Sequence, residues 1–156
     1  GYANGNLCAL SIRKGEAAPI DHCRIGLDAM REVFRLRPQE QQAHVDLINR
    51  LSWAGEYNWN NGRKTEALAL WNEGLQEARN LVAIDPDNRD SRDMLVTILF
   101  TLGRRAREDA PAIAEQRLDE AASIASELSR FDPDNERWRR LVSDIAQARR
   151  PSIVDQ

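Results

Sequence analysis

The chain has 156 residues, a net charge of −3, and 42% apolar and 30% charged residues. This balance excludes an intrinsically disordered or collagen-like chain, and it offers no overall attraction to nucleic acid or to an anionic membrane. No apolar run approaches the roughly 18 residues of a membrane-spanning helix, and the length suits one domain with its own core.

A short proline-containing segment recurs along the chain. Asp-Pro-Asp-Asn at 85–88 returns 47 residues later at 132–135, and a looser copy, Arg-Pro-Gln-Glu, lies at 37–40, 48 residues before the first. Proline cannot continue a helix, whereas the Asp or Asn after it can cap the next helix through a side-chain oxygen. Each copy therefore predicts the end of one helix and the start of another.

A second break falls inside each period, at 15–19, 60–63 and 108–111, so that each period holds two helices. Apolar residues recur three and four positions apart between the breaks, and no segment alternates as a strand does. We therefore predict an all-α protein. In chain order, the predicted helices are about 2–14, 19–36, 40–60, 64–84, 89–107, 111–131 and 135–149.

The middle period has small and large residues at regular positions: Ala54, Gly55, Gly62, Ala67, Trp71 and Gly74. Small residues let two antiparallel helices approach closely, and a large residue fills the space beside them. In this pattern the middle period resembles a tetratricopeptide repeat. The next period repeats the pattern as Leu102, Gly103, Ala114, Leu118 and Ala121, whereas the first period keeps only Gly15, Gly26 and Pro38.

The resemblance implies a right-handed solenoid of antiparallel helix pairs, although the period here is 47 to 48 residues rather than about 34. The extra length lies mainly in the second helix of each pair, and another helical-pair solenoid is the alternative. We expect a single domain over 1–150. It would consist of three pairs at about 1–38, 39–86 and 87–133, a capping helix at 135–149, and a tail at 151–156.

Residue patterns that support catalysis or metal binding are missing from the sequence. The two histidines, His22 and His44, lie on different predicted helices, and there is no Cys-x-x-Cys pair, glycine-rich phosphate loop or serine-nucleophile motif. We therefore predict a protein that is not an enzyme, with no catalytic residue, no metal and no cofactor. Arginines at 104–107 and 137–140 are interleaved with acidic residues, which predicts no nucleic-acid partner.

The two cysteines, Cys8 and Cys23, lie about equally far from the break at 15–19 and can face each other across the first helix pair. Two interpretations remain open. The preferred one is a pair of buried small apolar residues at a close helix crossing. The other is a disulfide, which implies an oxidising compartment and Cα atoms within about 7 Å.

In the family that the chain resembles, the first helices of successive pairs line a concave groove. Carried over position by position, this groove combines two aromatic residues with amides and arginines, a mixture that suits the recognition of a peptide or protein segment. An alternative for Trp59 and Phe100 is a place in the core between neighbouring pairs. The predicted groove residues are Asn49, Ser52, Glu56, Trp59, Asn60, Thr97, Phe100, Arg104 and Arg107, joined less firmly by Tyr2, Gly5 and Ala9.

The sequence therefore predicts a non-catalytic module that binds a protein or peptide, as a fragment of a larger bacterial protein. One alternative is a sensory or regulatory domain of a bacterial signalling protein, such as a kinase or a transcription regulator. Another is self-association, giving a homo-oligomer through apolar surface at the N-terminal edge near Tyr2. A small-molecule pocket in the groove also stays open. The compartment is undetermined, with a slight preference for the cytoplasm over the periplasm.

Overall fold

A computed structural model of the chain describes residues 2–14 and 20–150. Over these residues it contains seven helices and no strand, which confirms the all-α prediction. The predicted break at 15–19 and the tail at 151–156 lie outside the described residues. The helices are α1 (Tyr2–Lys14), α2 (Ile20–Leu36), α3 (Gln41–Asn60), α4 (Lys64–Ile84), α5 (Arg89–Arg105), α6 (Pro111–Phe131) and α7 (Glu136–Arg149).

The chain divides into two compact units, Gly1–Asp85 with α1 to α4 and Pro86–Gln156 with α5 to α7. In the first unit each helix packs against the next, and α1 also packs against α3. In the second unit α5 packs against α6 and α6 against α7. Within each unit, the short connections make consecutive helices antiparallel neighbours.

Asparagine side chains begin the two helices that follow the Asp-Pro-Asp-Asn turns. The Asn88 side chain accepts a hydrogen bond from the Ser91 backbone N–H at 3.0 Å, and Asn135 accepts one from the Trp138 N–H at 3.2 Å. Each bond satisfies a donor that has no partner within the helix. The predicted capping is confirmed at these two turns, whereas Glu40, before α3, makes no such side-chain bond.

Small residues allow close packing within the α3–α4 and α5–α6 pairs. A Cβ atom on Gly55 would lie 2.4 Å from Nε1 of Trp71, and one on Gly103 would lie 2.7 Å from Cγ of Leu118. Both distances are far below ordinary van der Waals contact, so that only glycine fits without a shift of its neighbour. Trp71 is only 2% exposed and donates a hydrogen bond from Nε1 to the Ser52 carbonyl oxygen at 3.3 Å.

Aliphatic side chains at helical spacing form the core of each unit. In the first unit, one cluster of buried residues from α2 and α3 consists of Leu27, Met30, Leu47, Leu51 and Ala54. Val33, Phe34 and Leu70 pack against this cluster. In the second unit, buried aliphatic side chains of α5, α6 and α7 form the core, including Leu99, Leu102, Leu128 and Ile145. Burial of each such side chain contributes about 1.5–3 kcal/mol.

Cys8 and Cys23 form a disulfide between α1 and α2, with Cα atoms 4.9 Å apart. The preferred interpretation, two unbonded buried thiols, is therefore wrong. The physical reason is a close contact between Gly5 and Gly26, each three residues from one of the cysteines. A Cβ on Gly26 would come within 2.9 Å of the Gly5 backbone nitrogen. Two facing glycines bring the helix backbones into contact, and that approach places the cysteines within bonding range.

Both histidines make hydrogen bonds within the first unit. Nδ1 of His22 lies 2.7 Å from Oδ1 of Asn4. His44 is buried, with Nε2 3.1 Å from the Pro38 carbonyl oxygen and Nδ1 3.2 Å from Oε2 of Glu77. Both histidine rings therefore have hydrogen-bond partners within the unit, as expected of structural residues.

Candidate functional site

Three of the predicted groove residues line two adjoining clefts between α5 and α7 in the second unit. A cleft of about 400 Å³ is lined by Phe100 and Arg104 from α5 and by Asp144, Gln147 and Ala148 from α7. A second cleft, of about 510 Å³, is lined by Thr97 from α5 and by Glu136, Arg137, Arg140, Leu141 and Asp144 from α7. Asp144 belongs to both, so the two clefts form one continuous surface, which we call the α5–α7 surface.

Helical spacing determines which α5 side chains reach this surface. Thr97, Phe100 and Arg104 are three and four residues apart and so lie on one face of the helix. The opposite face carries Leu99 and Leu102, which are fully buried in the core. The same burial that holds α5 in the unit therefore turns the three predicted residues outward.

A hydrogen-bonded network attaches the start of α7 to α5. The Asp93 carboxylate accepts hydrogen bonds from Nη2 of Arg137 at 2.7 Å and from Nε1 of Trp138 at 3.0 Å. Nη2 of Arg137 also lies 3.3 Å from Oγ1 of Thr97, which itself donates to the Asp93 carbonyl oxygen. The hydrogen bond to Asp93 raises the pKa of the Arg137 guanidinium. The network holds Arg137 at one end of the α5–α7 surface.

An aromatic ring and a cation lie together near the other end. The Arg104 guanidinium lies 5.4 Å from the centroid of the half-buried Phe100 ring, within the range of a cation–π contact. The exposed Asp144 and Gln147 line the same cleft as Phe100 and Arg104. The surface thus presents apolar area, a guanidinium, a carboxylate and an amide, which together can bind the side chains and backbone of a peptide.

Arg107 does not join this surface. It follows the end of α5, which stops at Arg105, and it donates a hydrogen bond from Nη2 to the Arg150 carbonyl oxygen. It lines a separate cavity of about 610 Å³ together with residues of α6 and the end of α7, including Pro111, Leu118 and Arg149. The early end of the helix moves Arg107 out of register with Phe100 and Arg104.

The five predicted groove residues of the first unit lie along one side of α3, and all are at least partly exposed: Asn49, Ser52, Glu56, Trp59 and Asn60. The half-buried Trp59 ring packs against Trp71, with centroids 5.7 Å apart, and the Lys64 ammonium lies 5.3 Å from its centroid. Trp59 therefore contributes both to the packing of the α3–α4 pair and to its surface. Another cleft of this unit, of about 400 Å³, lies between α2 and α4.

The α7 residues of the α5–α7 surface were missed by the sequence analysis, which treated α7 only as a cap. The repeat itself contains the signal: a step of 47 residues from Thr97 leads to Asp144, and the same step from Phe100 leads to Gln147. Both belong to the surface. Treating α7 as the first helix of a further pair would have identified them.

No protein-family model matches the chain, and no curated protein or solved structure is similar to it.

Across residues 2–14 and 20–150, no three or more His, Cys, Asp or Glu side chains are grouped so that they could hold a metal ion. Within the same residues, every helix is too short or too polar to cross a membrane.

Proposed function

We propose that this protein is a non-catalytic module of tetratricopeptide-like helix pairs that binds a peptide or protein segment, and that the α5–α7 surface is part of its binding site. The pairs would stack as a right-handed solenoid, and α7 would take the place of the first helix of a further pair. The observation that supports the binding proposal best is the meeting of Thr97, Phe100 and Arg104 with α7 side chains in adjoining clefts.

The chemistry of the surface favours a segment that carries both apolar and charged side chains. Phe100 offers aromatic area that a partner side chain can cover, and aromatic and arginine side chains supply most of the energy at protein interfaces. Arg104 can bind a partner carboxylate through two parallel hydrogen bonds. The Gln147 amide can bind a partner's backbone groups through both its donor and its acceptor.

Selection of peptides on the intact chain tests this proposal. Peptides from a displayed random library would be selected on the wild type, and their affinities measured by fluorescence anisotropy. We expect Phe100→Ala with Arg104→Glu to weaken binding about tenfold or more, because it removes the aromatic area and reverses the charge.

The matched control combines Phe131→Ala with Arg130→Glu, which changes the same residue types on exposed positions of α6. Circular dichroism of both variants checks that the helices are retained. Equal loss of affinity in the control, or full affinity in the Phe100 and Arg104 variant, would refute the assignment of the surface.

Self-association is a second candidate that one observation favours. Leu7 and Leu10 on α1 are 45% and 50% exposed, and Ile25 on α2 is 42% exposed. Exposed aliphatic side chains on one helix pair can bind a second copy of the chain. Light scattering over a concentration series should show a dimer in the wild type and a monomer after Leu7→Lys with Leu10→Lys. A monomer at every concentration in the wild type would rule out this candidate.

The disulfide also bears on the compartment. Disulfides persist in oxidising environments and are rare where thioredoxin and glutathione keep thiols reduced. We therefore propose that the protein resides in an oxidising compartment. This proposal replaces the slight preference for the cytoplasm drawn from the sequence. Mass measurement of alkylated protein isolated from its source, with two blocked thiols rather than none, would count against this proposal.

A further inference from the structure

The disulfide between Cys8 and Cys23 adds a covalent link to the noncovalent contacts that hold α1 against α2 and α3. α1 has only 13 residues, and Asn4, Gly5 and Asn6 are poor helix formers. Helices of this length are marginal in water without tertiary support. Outside the disulfide, that support includes the contact of Gly5 with Gly26, the bond of Asn4 to His22, and polar contacts to α3.

The contact of α1 with Arg50 of α3 buries a hydrogen-bond donor that has no partner in the described part of the chain. The Arg50 guanidinium lies against Gly5, where a Cβ would come within 2.2 Å of it. Its Nε atom is buried and has no hydrogen-bond partner among the described residues. A buried donor without a partner loses its hydrogen bond to water and gains none in return. Undocking of α1 would return this atom to solvent, so its burial opposes docking. The same guanidinium lies 5.9 Å from the centroid of the Tyr2 ring on α1, a cation–π contact that favours docking.

α1 contacts a stripe of side chains on α3. Tyr2 donates a hydrogen bond to the Asp46 carboxylate, and the Arg13 guanidinium lies 5.4 Å from the centroid of the Trp53 ring. The disulfide packs with Tyr57 in one buried cluster. The stripe, with spacings of four, three and four residues, consists of Asp46, Arg50, Trp53 and Tyr57.

Both cysteines are buried, Cys8 at 1% and Cys23 at 5% exposure. Cys23 also lines the cleft of about 400 Å³ between α2 and α4. Leu27, Ala54 and Ala69 line the same cleft. A small thiolate that enters the cleft lies beside Cys23. Thiol–disulfide exchange depends on such access to one sulfur.

We propose that the Cys8–Cys23 disulfide is a site of thiol–disulfide exchange, entered through the α2–α4 cleft, and that its reduction by a dithiol releases α1 and uncovers the stripe on α3. The dithiol's thiolate attacks Sγ of Cys23, forming a mixed disulfide and displacing the Cys8 thiolate. The second thiol then closes the dithiol into its own disulfide and displaces the Cys23 thiolate. Two electrons and two protons pass from the dithiol to the two cysteines, which end as thiols.

Reduction kinetics test the route through the cleft. With dithiothreitol as the probe, the rate of thiol appearance in the intact chain should rise linearly with dithiol concentration, because attack occurs on the folded protein. Ala69→Trp, which fills the cleft, should slow the reaction several-fold. Ala83→Trp, on an exposed position of α4 outside the cleft lining, is the matched control and should not. A rate that reaches a plateau with dithiol concentration, or equal rates for the two variants, would overturn the route.

Hydrogen exchange tests the release of α1. A disulfide that closes a loop of this size shifts the equilibrium by roughly 100-fold, so amides of α1 should exchange roughly 100-fold faster after reduction. Cys8→Ala with Cys23→Ala should show the same fast exchange with and without dithiol, because alanine keeps a small apolar side chain at both positions. Amides of α4 should stay as protected as in the oxidised chain. Unchanged protection of α1, or equal loss in α1 and α4, would overturn the release of α1.

Discussion

Gly55→Ala tests the close packing between α3 and α4. The new Cβ would lie 2.4 Å from Nε1 of Trp71 and 2.7 Å from two further atoms of its ring. Ordinary contacts begin near 3.4 Å, and the ring is buried, rigid and bonded to the Ser52 carbonyl oxygen. Either the ring or the α3 backbone must therefore move.

The size of the effect follows from three contributions. Overpacking a well-filled site costs about 1–3 kcal/mol, and the three short distances favour the upper end of that range. Displacement of the ring also weakens the Trp71–Ser52 hydrogen bond, which contributes about 1 kcal/mol. Alanine is the better helix former and regains about 1 kcal/mol. We expect Gly55→Ala to lower the free energy of unfolding by about 2–3 kcal/mol.

The assay is urea denaturation followed by circular dichroism, applied as a double-mutant cycle. In a Trp71→Leu background the ring is absent, so that Gly55→Ala should become neutral or stabilising by about 1 kcal/mol. Ala83→Gly, at an exposed position of α4, measures the propensity contribution alone. If Gly55→Ala were neutral in the wild type, or equally costly in both backgrounds, the glycine would not be required by the Trp71 ring.

Of three further predictions, two concern helix ends and one concerns the titration of Tyr2. Asn88→Ala and Asn135→Ala should each lower the free energy of unfolding by about 1 kcal/mol in urea denaturation, and equal stability to the wild type would mean that the caps contribute nothing. Gly62→Ala should cost about 1–2 kcal/mol in the same assay because φ is 76° at this position, with Gly62→Asn less costly; a neutral Ala variant would contradict this. The hydrogen bond to Asp46 raises the pKa of the Tyr2 hydroxyl above its ordinary value of 10.0, so the stabilisation from that bond is present below pH 10 and is lost as the pH rises through the raised pKa. Tyrosinate absorbance that disappears in Tyr2→Phe should therefore titrate above pH 10, and a midpoint at or below 10 would refute the bond.

The candidate site could be predicted from the sequence only in part. Thr97, Phe100 and Arg104 share a helix face by spacing alone, and the structure places them in adjoining clefts. Arg107 was assigned to the same face on the assumption that α5 continues to 107, but the helix ends at Arg105. Helix ends depend on the competition between local bonds and the packing of the next element, which sequence spacing does not contain.

The α7 contribution was missed for a different reason. The sequence analysis treated α7 as a capping helix, whereas Asp93 of α5 binds both Arg137 and Trp138 at the start of α7. An acidic residue on one helix and its partners some 44 residues away become neighbours only when the helices pack. Sequence reasoning could have found Asp144 and Gln147 from the period, but it had no means of finding the Asp93 bonds.

The sequence by itself determined the helices and their turns, because proline, glycine and asparagine act on the backbone within a few residues of their own position. Because this chemistry is local, the Asp-Pro-Asp-Asn turns and the Asn88 and Asn135 caps can be predicted from the sequence alone. Only the tertiary structure decided that Cys8 and Cys23 are bonded, because their distance depends on the contact of Gly5 with Gly26 across two helices. It also decided which polar side chains of α5 and α7 share a surface, since that follows from how the buried faces of the helices pack rather than from their spacing along the chain.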